Sequence, residues 1–234
     1  MDLNREHLPP VNRSAVPYIL AVLSLVLLCW GSYWGLFVAP REQYMGDVQR
    51  IMYVHVPTAW NAMLASSFAF ICAVFSLWRS DWRWDARLSG ALEVTLVLAF
   101  LLCVQGSIWA KPTWGVWWDW DPRLTTMAVL VFAVAGILAL RGFVDDPVKR
   151  ATWSAVAMIV TYVDVPITYF SVKWWNSLHQ VQSTPQTVSS LFHWPLRINS
   201  FGILFLMIAL MTLRTRIAAL RLRAELAPPP GGRA

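Results

Sequence analysis

The sequence predicts an all-α membrane protein with six transmembrane helices. Of the 234 residues, 57% are hydrophobic and only 14% are charged, whereas a soluble domain carries about a quarter charged residues. The charges are also clustered, so that residues 16–40 and 51–78 contain none. A helix needs about 20 apolar residues to cross a bilayer. We therefore expect a bundle of helices in lipid, without a separate soluble domain.

Six charge-poor stretches are candidates for these helices. The first is too long for the core of a signal peptide and lacks a small-residue cleavage site after it, so we expect it to be retained. The last is short, and Arg197 and Arg214 at its ends can reach outward to the interface. The six predicted spans are residues 18–38, 56–78, 88–109, 125–140, 152–172 and 198–213.

The basic residues predict the orientation of the bundle. With six spans the two termini share one side, and 13 of the 19 lysines and arginines fall in the termini and loops of that side. The positive-inside rule therefore predicts that both termini are cytoplasmic. We expect residues 1–15 to form a cytoplasmic segment, residues 16–216 the membrane domain, and residues 217–234 a partly disordered cytoplasmic tail. Short amphipathic segments would lie on the outer face.

Tryptophans gather on the predicted outer face, which holds 11 of the 15. An aromatic belt decorates both interfaces, so it does not explain this bias. The densest group lies in the outer loop predicted at residues 110–125 and comprises Trp114, Trp117, Trp118 and Trp120. Four large rings so close together suit a planar apolar ligand, but they are equally typical of an interfacial anchor. Both interpretations stay open on aromatic content alone.

Charged residues lie inside this aromatic run. Asp121 and Arg123 can pair locally or cap the fourth helix, and Thr125 can also act as a cap. These structural roles are the favoured interpretation. Alternatively, Arg123 and Lys111 can bind carboxylates of a ligand, because a guanidinium matches carboxylate geometry well.

Three histidines, His55, His179 and His193, lie on the predicted outer face. Apolar residues at helical spacing before His55 predict an amphipathic surface helix, and Pro57 predicts the outward start of the second span. The positive end of that helix disfavours a protonated imidazole, and a neutral imidazole is the form that binds metals. A lone histidine at a helix end is still more often structural.

A partner for His55 is available in His179. If the fifth helix extends past the bilayer, Trp175 and His179 share one of its faces. The two histidines would then approach the outer surface from different helices, on opposite sides of a flat ligand. His193 is a competing ligand, although an interfacial anchor explains its place beside Trp194 more simply. Two carboxylates inside the spans, Glu93 and Asp164, are expected to pack against partner helices rather than to relay protons.

The run Trp114-Gly-x-x-Trp-x-Trp-Asp-x-Arg-Leu-Thr125 is similar to the tryptophan-rich WWD signature of haem-handling proteins. The stretches 53–57, 111–112, 172–180 and 195–197 further resemble the CcmC family of the cytochrome c maturation system, and the resemblance covers nearly the whole chain. The signature is shared with larger haem lyase relatives that have more spans. Length and helix count favour the CcmC-like member. Asp164 departs from the asparagine expected at its position.

The resemblance implies a function and a site. His55 and His179 match the axial ligands of a non-covalently bound haem b, and Trp114, Trp117, Trp118, Trp120, Asp121 and Arg123 match the aromatic segment that holds it. It implies no enzyme activity, but transfer of haem to a periplasmic CcmE-like haem chaperone. The implied partners are CcmA- and CcmB-like ABC transporter subunits and a small CcmD-like membrane subunit, in the bacterial inner membrane.

Two other functions stay open from the sequence. A b-type electron-transfer subunit would also hold haem through two histidines, although such pairs usually lie inside the bilayer on facing helices. A permease for another small molecule would use the tryptophans only as anchors and would have polar residues and broken helices near the midplane. Asp164 and Pro166 are the residues that favour the permease.

Overall fold

The computed structural model describes residue 11, residues 14–180, residue 183 and residues 186–227. Within these residues the chain is all-helical, and six helical segments are long and apolar enough to cross a membrane. The prediction of a six-span α-helical membrane protein is confirmed. The α-helices are α1 (Val16–Tyr33), α2 (Met52–Arg79), α3 (Trp82–Trp114), α4 (Pro122–Phe143), α5 (Pro147–Tyr162), α6 (Asp164–Trp174) and α7 (His193–Leu226). Short turns of other helix types occur at Trp34–Val38, Asp47–Ile51 and Ser190–Phe192.

The fifth predicted span is two helices. α5 ends at Tyr162 and α6 begins at Asp164, with a turn at Val163 between them. Pro166 explains the interruption, because proline has no N–H to donate to the carbonyl of the residue four positions earlier, Tyr162. The side chain of Tyr162, at the end of α5, contacts α2, because its hydroxyl lies 2.9 Å from the Ser67 hydroxyl. The predicted span of residues 152–172 lies within the segment Pro147–Trp174, which is long and apolar enough to cross a membrane, and it is interrupted at Val163.

The sixth span is much longer than predicted. α7 continues to Leu226, so the predicted tail of residues 217–234 starts as a helix. One side of this extension is buried, through Ala219 and Leu222. The rest of the tail that we expect to be partly disordered, residues 228–234, lies outside the described residues.

α2, α3 and α7 form the centre of the bundle, with α1 packed on α7 and with α4, α5 and α6 on the opposite side. Small side chains make this close packing possible, as is common between membrane helices. The fully buried small residues that face the core are Ala65, Ala69, Cys72, Ala73, Ala91 and Ala99.

The start of α2 is fixed by a side chain from α7. Pro57 lies inside α2, which begins at Met52 rather than at the proline. The proline leaves the carbonyl of Tyr53 without its helical donor, and the Asn199 side chain donates to that carbonyl at 2.7 Å. Because the Asn199 side chain replaces the missing backbone donor, the helix begins one turn earlier than predicted, and His55 lies in its first turn.

Ion pairs between side chains hold helices together. Arg141 of α4 is paired with Asp85 of α3 through two bonds of 2.7 and 3.0 Å, and the two side chains are 12% and 5% exposed. Arg150 of α5 is paired with Glu225 of α7. Arg214 of α7 is paired with Glu93 of α3. The expected partner-helix role of Glu93 is confirmed.

Because the segments cross the bundle six times, the beginning of α1 and the end of α7 lie at the same end. We call this end, where α2 ends and α3 begins, the terminal end. The opposite end, where α2 and α4 begin and α3 and α6 end, carries His55 and His179, and we call it the histidine end. The candidate site is built there.

Candidate functional site

Two histidines face each other at the histidine end. The ring centroids of His55 and His179 are 6.3 Å apart, with 31° between the ring planes. Two imidazoles that bind one metal through nitrogens at about 2 Å have ring centres about 6 Å apart, since each nitrogen lies about 1 Å from the centre of its ring. The observed separation therefore fits a pair of axial ligands.

His55 is held rigidly by α2 and α3. Its side chain is almost fully buried, with 7% of its surface exposed, and its ring makes an edge contact with Trp109 at a centroid distance of 5.4 Å. On α3, Gly106 leaves room for the imidazole, because a Cβ atom at that position would lie 3.3 Å from His55 Cε1. The Nδ1 atom of His55 is buried and has no hydrogen-bond partner among the described residues. An unpaired ring nitrogen is consistent with a ligand-binding role.

His179 lies in an irregular segment, not on the helical extension that the sequence predicted. α6 ends at Trp174, and the backbone of Trp175 is extended. The Ser177 hydroxyl accepts a hydrogen bond from the His179 N–H at 3.0 Å, a local bond of the kind that competes with helical hydrogen bonding. Trp175 and His179 are therefore not on one helical face.

The orientation of the His179 ring is set by hydrogen bonds. Its Nδ1 atom lies 2.9 Å from the carbonyl of Gln180, which can only accept, so Nδ1 carries the proton. Arg123 Nη1 lies farther from the same nitrogen, at 3.4 Å, and cannot donate to it in this tautomer. The other ring nitrogen keeps its lone pair. Metal-binding histidines are commonly oriented in this way by a carbonyl on the second nitrogen.

The environment of His179 favours its neutral form. Burial lowers the pKa of the His179 imidazole below its ordinary value, and the positive charge of Arg123 lowers it further. The hydrogen bond to the Gln180 carbonyl and the charge of Asp121 act in the opposite direction, but burial is the larger effect. A histidine that stays neutral is ready to bind a metal without first losing a proton.

Asp121 connects this segment to α4. One carboxylate oxygen caps α4 by accepting from the N–H of Arg123 at 2.9 Å, and the other accepts from the N–H of Leu178 at 2.7 Å. The predicted cap is confirmed for Asp121. Its side chain is buried beneath the segment and does not line the cavity. Asp121 therefore positions His179 and does not itself face a ligand.

A cavity lies between the two histidines. Its enclosed volume is about 150 Å³, which is smaller than the pockets of about 300–1,000 Å³ that surround whole drug-sized ligands. A large flat ligand would therefore enter by one edge. The walls come from α2, α3, α4 and α6, and the residues that define them include His55, Trp60, Gly106, Trp109, Trp114, Trp118, Arg123, Tyr169 and His179.

Only half of the predicted aromatic platform faces this cavity. Trp114 is the last residue of α3, and its ring makes an edge contact with His179 at a centroid distance of 6.3 Å. Trp118 also lines the cavity. Trp117 and Trp120 do not, and they are 59% and 79% exposed. Gly115, the residue after α3, has a φ of 83°, which glycine adopts readily. The segment that connects α3 to α4 is residues 115–121, which is shorter than the predicted loop of residues 110–125.

The other predicted charged and histidine residues divide between the site and its surroundings. Arg123 lines the cavity and also donates to the carbonyl of Tyr169 at 3.2 Å. Lys111 is exposed and donates to the carbonyl of Gly115 at 2.8 Å. His193 begins α7, where its Nε2 lies 2.9 Å from the Val188 carbonyl. Lys111 and His193 do not line the cavity.

Four residues that define the walls were not singled out from the sequence: Trp60, Gly106, Trp109 and Tyr169. Trp109 is three positions and Trp114 eight positions after Gly106, so Gly106, Trp109 and Trp114 lie on one face of α3. That pattern could have identified the wall if α3 had been predicted to continue to Trp114. The Nε1 atom of Trp109 is buried without a hydrogen-bond partner among the described residues.

The fold and the site define a class: a multi-pass α-helical membrane protein with an aromatic cavity and two facing histidines at one end of its bundle. Comparison with known families makes the assignment specific. Residues 5–227 match the model of the CcmC family, heme exporter protein C, and the chain belongs to this family.

Curated relatives agree with the family match. The chain is 39% identical over 208 residues to heme exporter protein C of Haemophilus influenzae, covering 87% of this chain and 84% of the relative. It is 35% identical over 199 residues to the protein of the same name in Escherichia coli K12, with coverages of 84% and 81%. The Bradyrhizobium diazoefficiens protein of that name is 34% identical over 212 residues, with coverages of 88% and 80%.

Proposed function

We propose that this chain binds haem b non-covalently at the outer face of the bacterial inner membrane and presents it to a periplasmic CcmE-like chaperone during c-type cytochrome biogenesis. The observation that carries the proposal is the pair His55 and His179, whose ring centroids lie 6.3 Å apart. That spacing suits one iron with two axial imidazoles. The relatives' printed name, heme exporter protein C, agrees with haem as the ligand.

The shape of the cavity supports presentation of haem rather than permanent storage. The cavity, of about 150 Å³, is too small for a whole porphyrin. With the iron between His55 and His179, part of the ring would lie in the cavity beside Trp114 and Trp118, and one edge would stay accessible to a partner. Arg123, which lines the cavity, can bind a propionate, since guanidinium pairs well with carboxylate. The exposed rings of Trp117 and Trp120 lie in the same connecting segment as Trp118, and they would offer a contact surface to the chaperone.

The orientation of the bundle follows from charge. The terminal end carries most of the lysines and arginines, and the positive-inside rule assigns that end to the cytoplasm. The histidine end is then periplasmic, where a haem chaperone can reach it. In this arrangement the chain is a non-catalytic component of a complex with CcmA- and CcmB-like ABC transporter subunits and a small CcmD-like subunit, and ATP hydrolysis belongs to another chain of that complex.

The b-type electron-transfer alternative fits the site less well. His55 is in the first turn of α2, and His179 follows the last turn of α6 by five residues, so both ligands lie near the end of the bundle rather than at mid-depth. One observation favours the permease alternative: the fifth span is interrupted at Val163. No matching interruption occurs at mid-span in α2 or α3 among the described residues, as an inverted repeat would require.

A haem-reconstitution experiment tests the proposal. The detergent-purified chain is titrated with haem, and the Soret band and haem content are measured for His55→Gly, His179→Gly and the control His193→Gly. We expect loss or a large shift of the band in the first two variants and none in the third. Added imidazole should restore the spectrum of the first two, because it can replace a missing axial ligand. Unchanged spectra in both would contradict the axial assignment.

A second measurement separates presentation from simple storage. Haem-loaded chain is mixed with a purified periplasmic haem chaperone of the CcmE kind, and transfer is followed by the loss of haem from the membrane fraction. We expect transfer with the wild type and slower transfer with Trp117→Ala/Trp120→Ala, which keeps both histidines. Transfer at the wild-type rate in that double variant would exclude these rings from the contact surface.

A further inference from the structure

A second cavity lies at the terminal end, far from the histidines. It measures about 680 Å³ and lies between the beginning of α1, the middle of α2 and the second half of α7. Arg87 of α3 closes it from the side. The remaining lining residues are Ser14, Val16, Pro17, Leu64, Phe68, Leu204, Met207, Ile208, Met211, Thr212, Thr215, Arg216 and Ala219. We call it the arginine groove.

The arginine groove is apolar over the depth of one lipid leaflet. On α7 it extends from Leu204 to Ala219, which is about 22 Å along the helix axis at 1.5 Å per residue. Half of a bilayer, with its headgroup region included, is about 20–22 Å thick. Leu64, Phe68 and Leu204 line the deep part, and the two arginines lie at the other end. The groove thus has the length and polarity of a single acyl chain with its headgroup.

A close helix contact brings the two arginines to the same level. At Gly90 of α3, an added Cβ would lie 2.7 Å from the backbone nitrogen of Thr215 on α7, so the two helices touch backbone to backbone there. Arg87 lies one helical turn before Gly90, and Arg216 directly follows Thr215. Both guanidinium groups therefore reach the mouth of the groove from neighbouring helices.

In the part of the chain that the structure describes, neither arginine is in an ion pair with a carboxylate. The ion pairs of α3 and α7 join Asp85 with Arg141, Glu93 with Arg214, and Glu225 with Arg150. Arg87 lies over the Trp84 ring, 4.4 Å from its centroid, and Arg216 donates to the Ser14 carbonyl at 2.8 Å. A guanidinium has five N–H donors, so each keeps donors for an anion.

We propose that the arginine groove binds an anionic phospholipid, with an acyl chain against α2 and α7 and the phosphate on Arg87 and Arg216. Zwitterionic lipids offer the same acyl chains but no net negative charge, so the two arginines select for the anionic headgroup. Basic pockets between helices on the cytoplasmic side are known to take such headgroups. The lipid would fill the space between α1 and α2, two helices that hardly touch each other directly.

Lipid retention by the purified full-length chain tests this proposal. The chain is delipidated, equilibrated with mixed micelles of equal phosphatidylglycerol and phosphatidylcholine of identical acyl chains, and its bound lipids are counted by native mass spectrometry. We expect roughly 25-fold enrichment of phosphatidylglycerol, because each arginine near an anionic headgroup adds roughly fivefold preference. Arg87→Gln/Arg216→Gln should bind the two lipids in the ratio supplied. Arg83→Gln/Arg221→Gln, which removes the same charge from exposed positions, should behave like the wild type.

Two further measurements separate the contribution of the acyl chain from that of the phosphate group. Ile208→Trp fills the apolar part of the groove and should reduce retention of both lipids while the arginines stay in place. Inorganic phosphate alone should not displace the bound lipid, because it lacks the acyl chain. Circular dichroism checks that every variant keeps its helices. Equal retention of the two lipids by the wild type, displacement by phosphate, or equal loss in the control variant would each overturn the proposal.

Discussion

The carboxylate of Asp121 accepts from the backbone N–H of Leu178 at 2.7 Å with one oxygen, while its other oxygen caps α4. Asp121→Asn keeps one acceptor oxygen and can still cap α4, but its amide nitrogen cannot accept from Leu178. We expect helical stability close to that of the wild type and faster release of haem, because His179 loses a tether. Stopped-flow haem transfer to apomyoglobin measures the release rate.

Two comparison variants complete this test. Asp121→Ala removes the cap as well and should also lower stability, by about 1 kcal/mol. Asp146 caps α5 at the terminal end through the N–H of Lys149, and Asp146→Ala should cost similar stability without changing haem release. If Asp121→Asn released haem at the wild-type rate, the tether would have no role in holding the ligand.

Gly106→Ala tests the space around His55. The new methyl group would lie 3.3 Å from His55 Cε1, so the imidazole must shift by a fraction of an ångström. We expect haem binding to weaken about fivefold, which corresponds to about 1 kcal/mol of overpacking. Gly136→Ala is the matched control, since a Cβ there meets open space and the helix gains about 0.5–1 kcal/mol. Equal haem affinity in both variants would show that the His55 imidazole can accommodate a methyl group at position 106 without loss of haem binding.

Asn199 and Pro57 should be energetically coupled. Asn199→Ala leaves the buried Tyr53 carbonyl without a donor, which costs about 1–3 kcal/mol. Pro57→Ala supplies a backbone N–H that can bond the same carbonyl. We therefore expect Asn199→Ala to cost less in the Pro57→Ala background, as measured by a double-mutant cycle of unfolding in detergent. Additive effects would mean that the two residues act independently.

The buried ion pair between Asp85 and Arg141 should be far more sensitive than the partly exposed pair between Glu225 and Arg150. Asp85→Ala strands a buried guanidinium and should cost about 3–5 kcal/mol, a loss visible in the melting temperature. Glu225 is 42% exposed, and Glu225→Gln should change stability by less than about 1 kcal/mol. Similar melting temperatures for the two variants would contradict this ranking.

The number of spans was predictable because hydrophobic length is a local property of the chain. The interruption at Val163 was not predicted, although Pro166 was noted, since a proline can bend a helix or end it depending on the neighbouring helices that take over its lost bond. The start of α2 likewise depends on a neighbouring helix, α7, whose Asn199 side chain donates to the Tyr53 carbonyl. Asn199 is far from Tyr53 in sequence, and only the folded bundle brings them together.

The site was predictable in its histidines and less so in its walls. His55 and His179 stood out as polar groups on one face of the predicted membrane domain, and the structure brings them together, while their binding of haem stays a prediction. Which tryptophans face the cavity could not be predicted, because it depends on where α3 ends and on the path of the chain between α3 and α4. Gly106 could not be recognised either, since a glycine has no side chain to signal the partner that approaches it.

The two imidazoles are mounted unequally. His55 belongs to a long helix whose hydrogen bonds continue to Arg79, whereas His179 depends on a few side-chain and carbonyl contacts after α6 has ended. Segments with fewer backbone hydrogen bonds open at lower free energy. The two rings can therefore be separated at the lowest free energy by a displacement of His179, while His55 stays in place. A partner protein that breaks the contact between Asp121 and Leu178 would release His179 without disturbing the helix bundle.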